Sequence, residues 1–335
     1  MTTQMHARVL GRTGRTVSAV GLGTWQLGAD WGEVSESDAR EVLEASAEQG
    51  VTFYDTADVY GDGRSEQIVG RFAAAHADAG FTVATKMGRR VEQVSENYTP
   101  EAFRAWIDRS RKNLGVDRLD LVQLHCPPSE VIEDDRTYDA LDALVEDGSI
   151  AAYGVSVETV AQALAAIERP HLATVQIILN ALRLKPLEQV LPAAEAAGVG
   201  IIARVPLASG LLSGKYDETT TFADDDHRTF NRDGSAFDVG ETFSGVPFDV
   251  GLQAAGDFTR LVQESAPGDL TPAQAAIAWI WQQPGASTVI PGARNAEQAR
   301  SNAAAGRAPD LGADFVDGVR SIYDDRVREL VHDRW

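Results

Sequence analysis

Apolar and polar positions along the chain fall into two alternating rhythms. Short β-branched or apolar runs recur, and each is followed by a longer segment whose apolar residues return at helical spacing. The runs predicted as strands are Ala19–Thr24, Thr52–Asp55, Thr82–Lys86, Leu119–His125, Ala152–Ser156, Thr174–Ile178, Gly200–Val205 and Ser287–Ile290. The helical segments have readable ends. Thr99-Pro100-Glu101 supplies an N-cap, an N1 proline and an early acid; Phe103, Trp106, Ile107 and Leu114 make one stripe, and Gly115 ends it. A second helix runs from Asp38 past Val42 and Leu43 to Gly50, and Thr271-Pro272 opens a third with Ala276, Ile277 and Ile280 inward.

Eight strands alternating with helices admit an open doubly wound sheet or a closed (β/α)8 TIM barrel. The open nucleotide-binding sheet wants Gly-x-Gly-x-x-Gly after an early strand, but Gly21-Leu22-Gly23 continues as Thr24-Trp25-Gln26. The barrel is the expected fold, as one domain over residues 1–335. The segment before the first strand, with its Gly11-Arg12-Thr13-Gly14 turn, reads as an N-terminal hairpin able to plug one barrel end. From about Asp217 to Gly256 the rhythm breaks, and a long loop between strands seven and eight is expected there. Beyond Pro309, the residues Phe315, Val319, Ile322 and Tyr323 read as a last amphipathic helix, so 305–335 forms a helical tail.

Composition narrows the function. The 335 residues carry 30 Lys+Arg against 50 Asp+Glu, a net charge of −20. Such a surface repels nucleic acid and anionic lipid, and the densest basic cluster, Arg109-Ser110-Arg111-Lys112, closes a predicted helix where cations suit the dipole. No apolar run reaches the ~18 residues of a membrane span, and Met1 to Arg8 has no signal-peptide core. The single cysteine, Cys126, excludes a disulfide framework and leaves a reduced, cytoplasmic setting as the expectation. His6, His76, His171, His227 and His332 are scattered with no metal-ligand spacing.

In a parallel barrel, chemistry stands at the C-terminal ends of strands. Asp55 ends the second, with Tyr60 in the loop that follows; Lys86 ends the third, His125 the fourth and Ser156 the fifth, and Gln176 lies on the sixth. Each alone has a structural use, as a turn cap, a rim cation, a core imidazole or a packed ring. Together on one face they form an acid–base set. A phenol near pKa ~10 is a weak acid at neutral pH, and an ammonium beside it stabilises the phenolate. Asp55 supplies the counter-charge that keeps Lys86 ionised, and His125 can hold a carbonyl. No side chain donates hydride, so carbonyl reduction requires a nicotinamide cofactor. A second reading of the same residues is a Schiff-base lyase with Lys86 as nucleophile.

The run Asp55-Thr-Ala-Asp58-Val-Tyr60-Gly61-Asp-Gly63-Arg-Ser65-Glu66 resembles the signature of the aldo-keto reductase superfamily, as do Gly21-Leu-Gly-Thr24-Trp25, Lys86 and Leu124-His125. The resemblance covers roughly residues 8–304 and implies an NADPH-dependent oxidoreductase acting on aldehydes and ketones. It makes Tyr60 the general acid, tuned by Lys86 and Asp55, with His125 orienting the carbonyl. The cofactor residues it implies begin at Thr24 and Trp25. Ser156 and Gln176 would take the nicotinamide carboxamide, with Val157 where the family has an Asn. Arg204 stands where an aromatic ring usually stacks on nicotinamide. Pro206, Leu207, Gly210 and Lys215 would cover the pyrophosphate. Gly292, Arg294, Gln298 and Asn302 resemble the adenosine-phosphate segment, with Arg294 as the fork for a 2′-phosphate. Asn295 and Gln298 also fit a helix cap.

NADP(H) is therefore expected ahead of NAD(H), with no metal. The partner is a small carbonyl or sugar-like substrate, and the resemblance admits a homo-oligomer. Trp25, Trp31, the Pro127–Asp135 segment and the acidic insertion are the expected substrate lining. A cofactor-holding sensor like the β subunits of potassium channels is the alternative, against which His125 argues.

Overall fold

The computed structural model describes residues 4–28, 34–236 and 238–335. The chain opens with an antiparallel hairpin, β1 (Ala7–Val9) and β2 (Thr16–Ser18), whose register pairs Ala7 with Ser18. Eight parallel strands follow: β3 (Leu22–Gly23), β4 (Phe53–Asp55), β5 (Thr82–Met87), β6 (Leu121–His125), β7 (Tyr153–Ser156), β8 (Thr174–Ile178), β9 (Gly200–Arg204) and β10 (Ala286–Val289). Each pairs with its neighbour in sequence. The ends meet through Gly21 N–H to Val289 O at 2.8 Å, Val289 N–H to Ala19 O at 3.0 Å and Gly23 N–H to Pro291 O at 3.1 Å, which closes the barrel. The strand β3 is shorter than its apolar run, because Val20 and Gly23 meet Val289 and Gly292 only as isolated bridges.

The helices start where their caps dictate. Thr99 accepts from Ala102 N–H, Phe103, Ile107 and Leu114 are buried, and Gly115 closes the helix at φ 70°. Ser35 caps the helix Glu36–Glu48, two residues ahead of the start read at Asp38, since its hydroxyl is the first able to take an orphan N–H. Thr271 and Gln274 form a full capping box on Pro272–Gln282, and Ala276, Ile277 and Ile280 are buried as expected.

The main apolar core lies between the strands and the outer helices. A second, smaller cluster fills the barrel itself: Leu10 and Val17 from the hairpin, with Phe53, Ala84, Leu121 and Ile202 from the strands and Ile290 directly after β10. The hairpin closes the N-terminal end. Gly11 sits at φ 47° against Gly200, so close that a Cβ would lie 2.1 Å from the Gly200 nitrogen. Arg12 donates to the carbonyls of Arg169 (3.1 Å), Leu172 (2.8 Å) and Ala197 (2.7 Å), satisfying groups at the feet of the strands.

The stretch expected as a loop over 217–256 is a folded cap. It holds a short helix, His227–Phe230, and two 3-10 turns, Val239–Glu241 and Phe243–Gly245, and from Phe248 it is already a long helix ending at Ser265. Its core is aromatic: Phe243 stands 5.9 Å from Phe222 and 5.1 Å from Phe248, centroid to centroid, and the Arg232 guanidinium lies 5.5 Å from the Phe248 ring. Aromatics at irregular spacing have no period, so the pattern reads as loop. The tail helix Ala313–Arg326 packs on Phe248–Ser265 through Phe315 and Phe258. Beyond it, the Trp335 ring covers the Arg183 guanidinium at 3.7 Å. Among the described residues, no helix is long and apolar enough to cross a membrane.

Candidate active site

The C-terminal strand ends bring together the acid–base set read from the sequence. Lys86 Nζ forms an ion pair with Asp55 and donates to Thr56 O at 2.9 Å and to the Tyr60 hydroxyl at 3.2 Å. All three ammonium hydrogens are thus engaged, with the side chain 1% exposed, and an amine held protonated in this way has no lone pair with which to act as the nucleophile of a Schiff-base lyase. Asp55 Oδ1 accepts from Gln123 Nε2 at 3.1 Å and Gln176 Nε2 at 2.9 Å, so the counter-charge is itself held from two further strands. Gln123 was missed in the sequence. Its signal is the strand period of two, which sets it on the same face as His125.

The Tyr60 loop is held by an unusual backbone. Gly61, Asp62 and Gly63 all lie in the left-handed region, at φ 59°, 53° and 94°, before the helix Arg64–Ala75 begins. The non-glycine member costs energy there. Arg90 and Arg109 both pair with its carboxylate, the latter at 2.9 Å, and hold it in place. Ser65 lies 2.8 Å from Thr24 Oγ1 and 2.9 Å from Thr56 Oγ1, while Glu66 accepts from Thr85 at 2.6 Å and Asn113 at 2.8 Å. Thr24, read as a cofactor residue, spends its hydroxyl on Asp55 O at 2.9 Å. These bonds fix the tyrosine loop to the strands that carry Asp55 and Lys86.

His125 is buried, its ring edge-on to Tyr60 with centroids 6.1 Å apart, and its Nδ1 has no hydrogen-bond partner among the described residues. Burial, and then the charges of Arg89, Lys86 and Arg204, hold its pKa well below the ordinary histidine value, so the imidazole is neutral. Lys86 behaves oppositely. Burial works against its charge, but Asp55 and Tyr60 outweigh that and its pKa rises. For Tyr60 the sequence argument is half right: Lys86 pulls the phenol down, yet burial is larger, Asp55 and Glu241 add to it, and the pKa lies above its ordinary value. Tyr60 therefore holds its proton firmly.

Trp25 lies along Tyr60, centroids 6.2 Å apart, and touches His227 of the cap at 5.3 Å. Trp31 lies outside the described residues. The Pro127–Asp135 segment contains the helix Ser129–Glu133, whose Val131 and Ile132 are buried.

The residues read as cofactor-binding line an arc from β7 to β10. Ser156 is buried beside Cys126, 3.4 Å from its sulfur, and Gln176 turns to Asp55 as described. After β9, Pro206 is buried and Leu207 half-buried, Ala208, Ser209 and Gly210 all adopt left-handed conformations, and Lys215 is exposed. Gln298 Oε1 accepts from Arg294 N–H at 2.9 Å, and Asn295 caps the helix Ala296–Ala304 by accepting from Gln298 N–H. Asn302 donates to Gly292 O at 3.0 Å. In this structure Gln298 and Asn302 thus brace the loop at the helix N-terminus. Arg294, half exposed, pairs with Asp226 of the cap at 3.7 Å.

A charged cluster adjoins His125 and went unread in the sequence, apart from Arg204. Arg89 Nη2 donates to Glu158 at 2.9 Å, Arg204 pairs with Glu241 and donates to Val157 O at 3.1 Å, and the fully buried Arg183 donates to the Glu158 carbonyl. Burial, and then a hydrogen bond shared with Asp238, push Glu158 up to about 7. The partners lie far apart in sequence and on loops, where no periodicity marks them.

The sequence profile described as "Aldo/keto reductase family" matches residues 19–324. Among curated proteins, the chain is 31% identical over 290 residues to the aldo-keto reductase YhdN of Bacillus subtilis, covering 85% of this chain and 84% of that one. It is 28% identical over 299 residues to the aldo-keto reductase yakc [NADP(+)] of Schizosaccharomyces pombe, covering 86% and 83%. Among solved structures, the glycerol dehydrogenase from Gluconobacter oxydans superposes with a TM-score of 0.77 at 29% identity, covering 97% of this chain and 96% of that one.

Proposed function

The chain belongs to the aldo/keto reductase family, and from that premise we propose that it reduces an aldehyde or ketone to the alcohol, reversibly, with NADPH as hydride source and Tyr60 as general acid. The observation that carries this reading is the Tyr60 hydroxyl 3.2 Å from a Lys86 ammonium that Asp55 holds in place.

The residues fit a nicotinamide dinucleotide. The left-handed run Ala208-Ser209-Gly210 and the capped helix N-terminus at Ala296 are the kind of backbone that receives phosphates, with Lys215 and Arg294 as cations beside them. Arg294 would take the 2′-phosphate, and the NADP(+) in the name of the fission-yeast relative agrees with that choice. Ser156 and Gln176 would face the carboxamide, and Arg204 would lie against the nicotinamide face in place of an aromatic ring. When bound, NADPH supplies the hydride.

The chain's own residues do the rest. Neutral His125 donates a hydrogen bond to the carbonyl oxygen and holds it next to the Tyr60 hydroxyl. Tyr60 passes its proton to that oxygen as charge develops there, and the adjacent Lys86 stabilises the phenolate left behind. Asp55, braced by Gln123 and Gln176, keeps Lys86 charged throughout. Trp25 and the cap exclude water from the reacting oxygen. We read residues 1–335 as one domain working in a reducing, cytoplasmic setting.

Tyr60→Phe tests the assignment. Turnover of a reactive aldehyde with NADPH should fall about 10²–10⁴-fold, the range of general acid catalysis, while fluorescence titration gives a Kd for NADPH within threefold of wild type. Undiminished turnover removes Tyr60 from the role. A titration in which neither NADPH nor NADH binds the wild-type protein removes the reductase reading.

A further inference from the structure

Outside the Asp55–Lys86–Tyr60–His125 set, the most densely charged part of the interior is the arginine cluster beside it. Arg89, Arg183 and Arg204 come from the loops after β5 and β8 and from the end of β9. The acids facing them are Glu158 after β7 and Asp238 and Glu241 in the cap. Arg89 and Arg204 both act on the His125 imidazole, so the cluster borders the position of the substrate carbonyl.

Donors outnumber acceptors here. Arg204 Nε, Arg183 Nε and Arg183 Nη1 are buried with no acceptor among the described residues. Arg183 is fully buried and Arg204 is 7% exposed. Buried guanidinium N–H groups without acceptors are uncommon, because each forfeits its hydration. Glu158 offers the arginines less than a full negative charge near neutral pH, since burial and then its hydrogen bond with Asp238 raise its pKa to about 7. A protein of net charge −20 thus keeps three guanidiniums, with N–H groups to spare, beside three acids at one interior spot.

Arg89 is the member open to a ligand. Its side chain is 24% exposed and Glu158 21%, against 8% for Arg204. Among the described residues its guanidinium makes one hydrogen bond, to Glu158, and Glu158 keeps Asp238 as a second partner if that bond is exchanged.

We propose that the substrate is a carbonyl compound bearing a carboxylate, with Arg89 as the residue that reads the carboxylate by exchanging Glu158 for it. This rests on the reductase reading above and names its substrate class. A guanidinium fork matches a carboxylate bidentately, and the buried Arg183 and Arg204 add positive potential behind it. The reaction balances as ordinary carbonyl reduction. The carbonyl carbon gains hydride from NADPH, its oxygen gains the Tyr60 proton, and the carboxylate is untouched, giving a hydroxy acid and NADP+.

The test compares succinic semialdehyde with butyraldehyde, an uncharged aldehyde of the same chain length, under NADPH. In the wild type, kcat/KM for the acid should exceed that for butyraldehyde at least tenfold, mostly through KM. In Arg89→Gln that ratio should fall at least tenfold, and Arg89→Lys, which keeps charge but loses the fork, should fall between. Succinate, which cannot be reduced, gives a readout independent of turnover and of the variants. It should bind the wild-type protein in calorimetry without cofactor, and compete with butyraldehyde in the assay. Turnover of both aldehydes with no preference, or no binding of succinate, overturns the carboxylate proposal and leaves the reductase standing. Turnover of neither, together with no binding of NADPH, overturns the reductase reading and this proposal with it.

Discussion

The two ends of the barrel are built to opposite rules. At the N-terminal end, Leu10 and Val17 of the hairpin meet Phe53, Ala84, Leu121, Ile202 and Ile290 in an apolar plug. At the C-terminal end, Asp55, Lys86 and His125 are buried as polar groups, and the backbone turns left-handed at Asp62, Cys126, Val205, Ala208 and Ser209. Cys126 and Val205 each follow directly on a strand end, after His125 and Arg204, at φ 48° and 53°. Apolar burial stabilises the first end by about 25 cal/mol per Å². The second end spends stability on buried charge and on backbone that non-glycine residues adopt at a cost of about 1–3 kcal/mol each.

The sharpest way to break this contrast is Lys86→Met. It removes the cation beside Tyr60 and strands Asp55 in the interior, so turnover should fall about 10³-fold and stability by about 3–5 kcal/mol, read from steady-state kinetics and urea unfolding. Loss of activity at full stability would mean that the Asp55–Lys86 pair contributes nothing net to the fold. Leu10→Ala should do the reverse at the other end. A fully buried leucine in the plug is lost, costing about 2–5 kcal/mol, while kcat per folded molecule stays at the wild-type value. A changed kcat would show the ends to be coupled.

Asp58 sharpens the comparison with a smaller effect. It is fully buried, its carboxylate accepts no side-chain hydrogen bond among the described residues, and burial, then repulsion from Glu66, raise its pKa to about 7 against the pull of Arg90 and Arg109. Because the folded protein binds this proton more tightly than the unfolded chain, Asp58 costs stability as pH rises from the unfolded carboxylate value through about 7. Asp58→Asn removes the ionisation. It should be more stable than wild type at pH 8 by about 2 kcal/mol, with the difference shrinking toward pH 5. Parallel pH–stability curves for the two proteins would refute the charge assignment.

The same contrast explains what could be read from the sequence. Strand ends follow from an apolar period and helix starts from caps, so the sequence alone places Asp55, Lys86, His125 and Ser156 on one face. The plug was legible in outline from the Gly11–Gly14 turn. Arg89, Glu158, Arg183 and Glu241 were not, because they sit on loops and pair across 25 to 69 residues of sequence with no local pattern to announce them. The cap failed for a related reason. Its fold rests on Phe222, Phe243 and Phe248 meeting in space, and its many Asp and Gly residues read as loop. Gln123 is the exception, since one step of two from His125 would have found it.

The hairpin at the barrel's foot also bears on the order of folding. Its Arg12 waits for carbonyls at 169, 172 and 197, and Arg8 for those at 283 and 286. Contacts of such sequence separation are slow to form, because a long loop must close before any is rewarded. The hairpin, which precedes every barrel strand in the chain, is therefore among the last elements to dock, and it docks only on a complete ring of strands. A barrel with a missing or misplaced strand leaves Leu10 and Val17 uncovered, an apolar tag by which quality-control machinery can tell an unfinished molecule from a finished one.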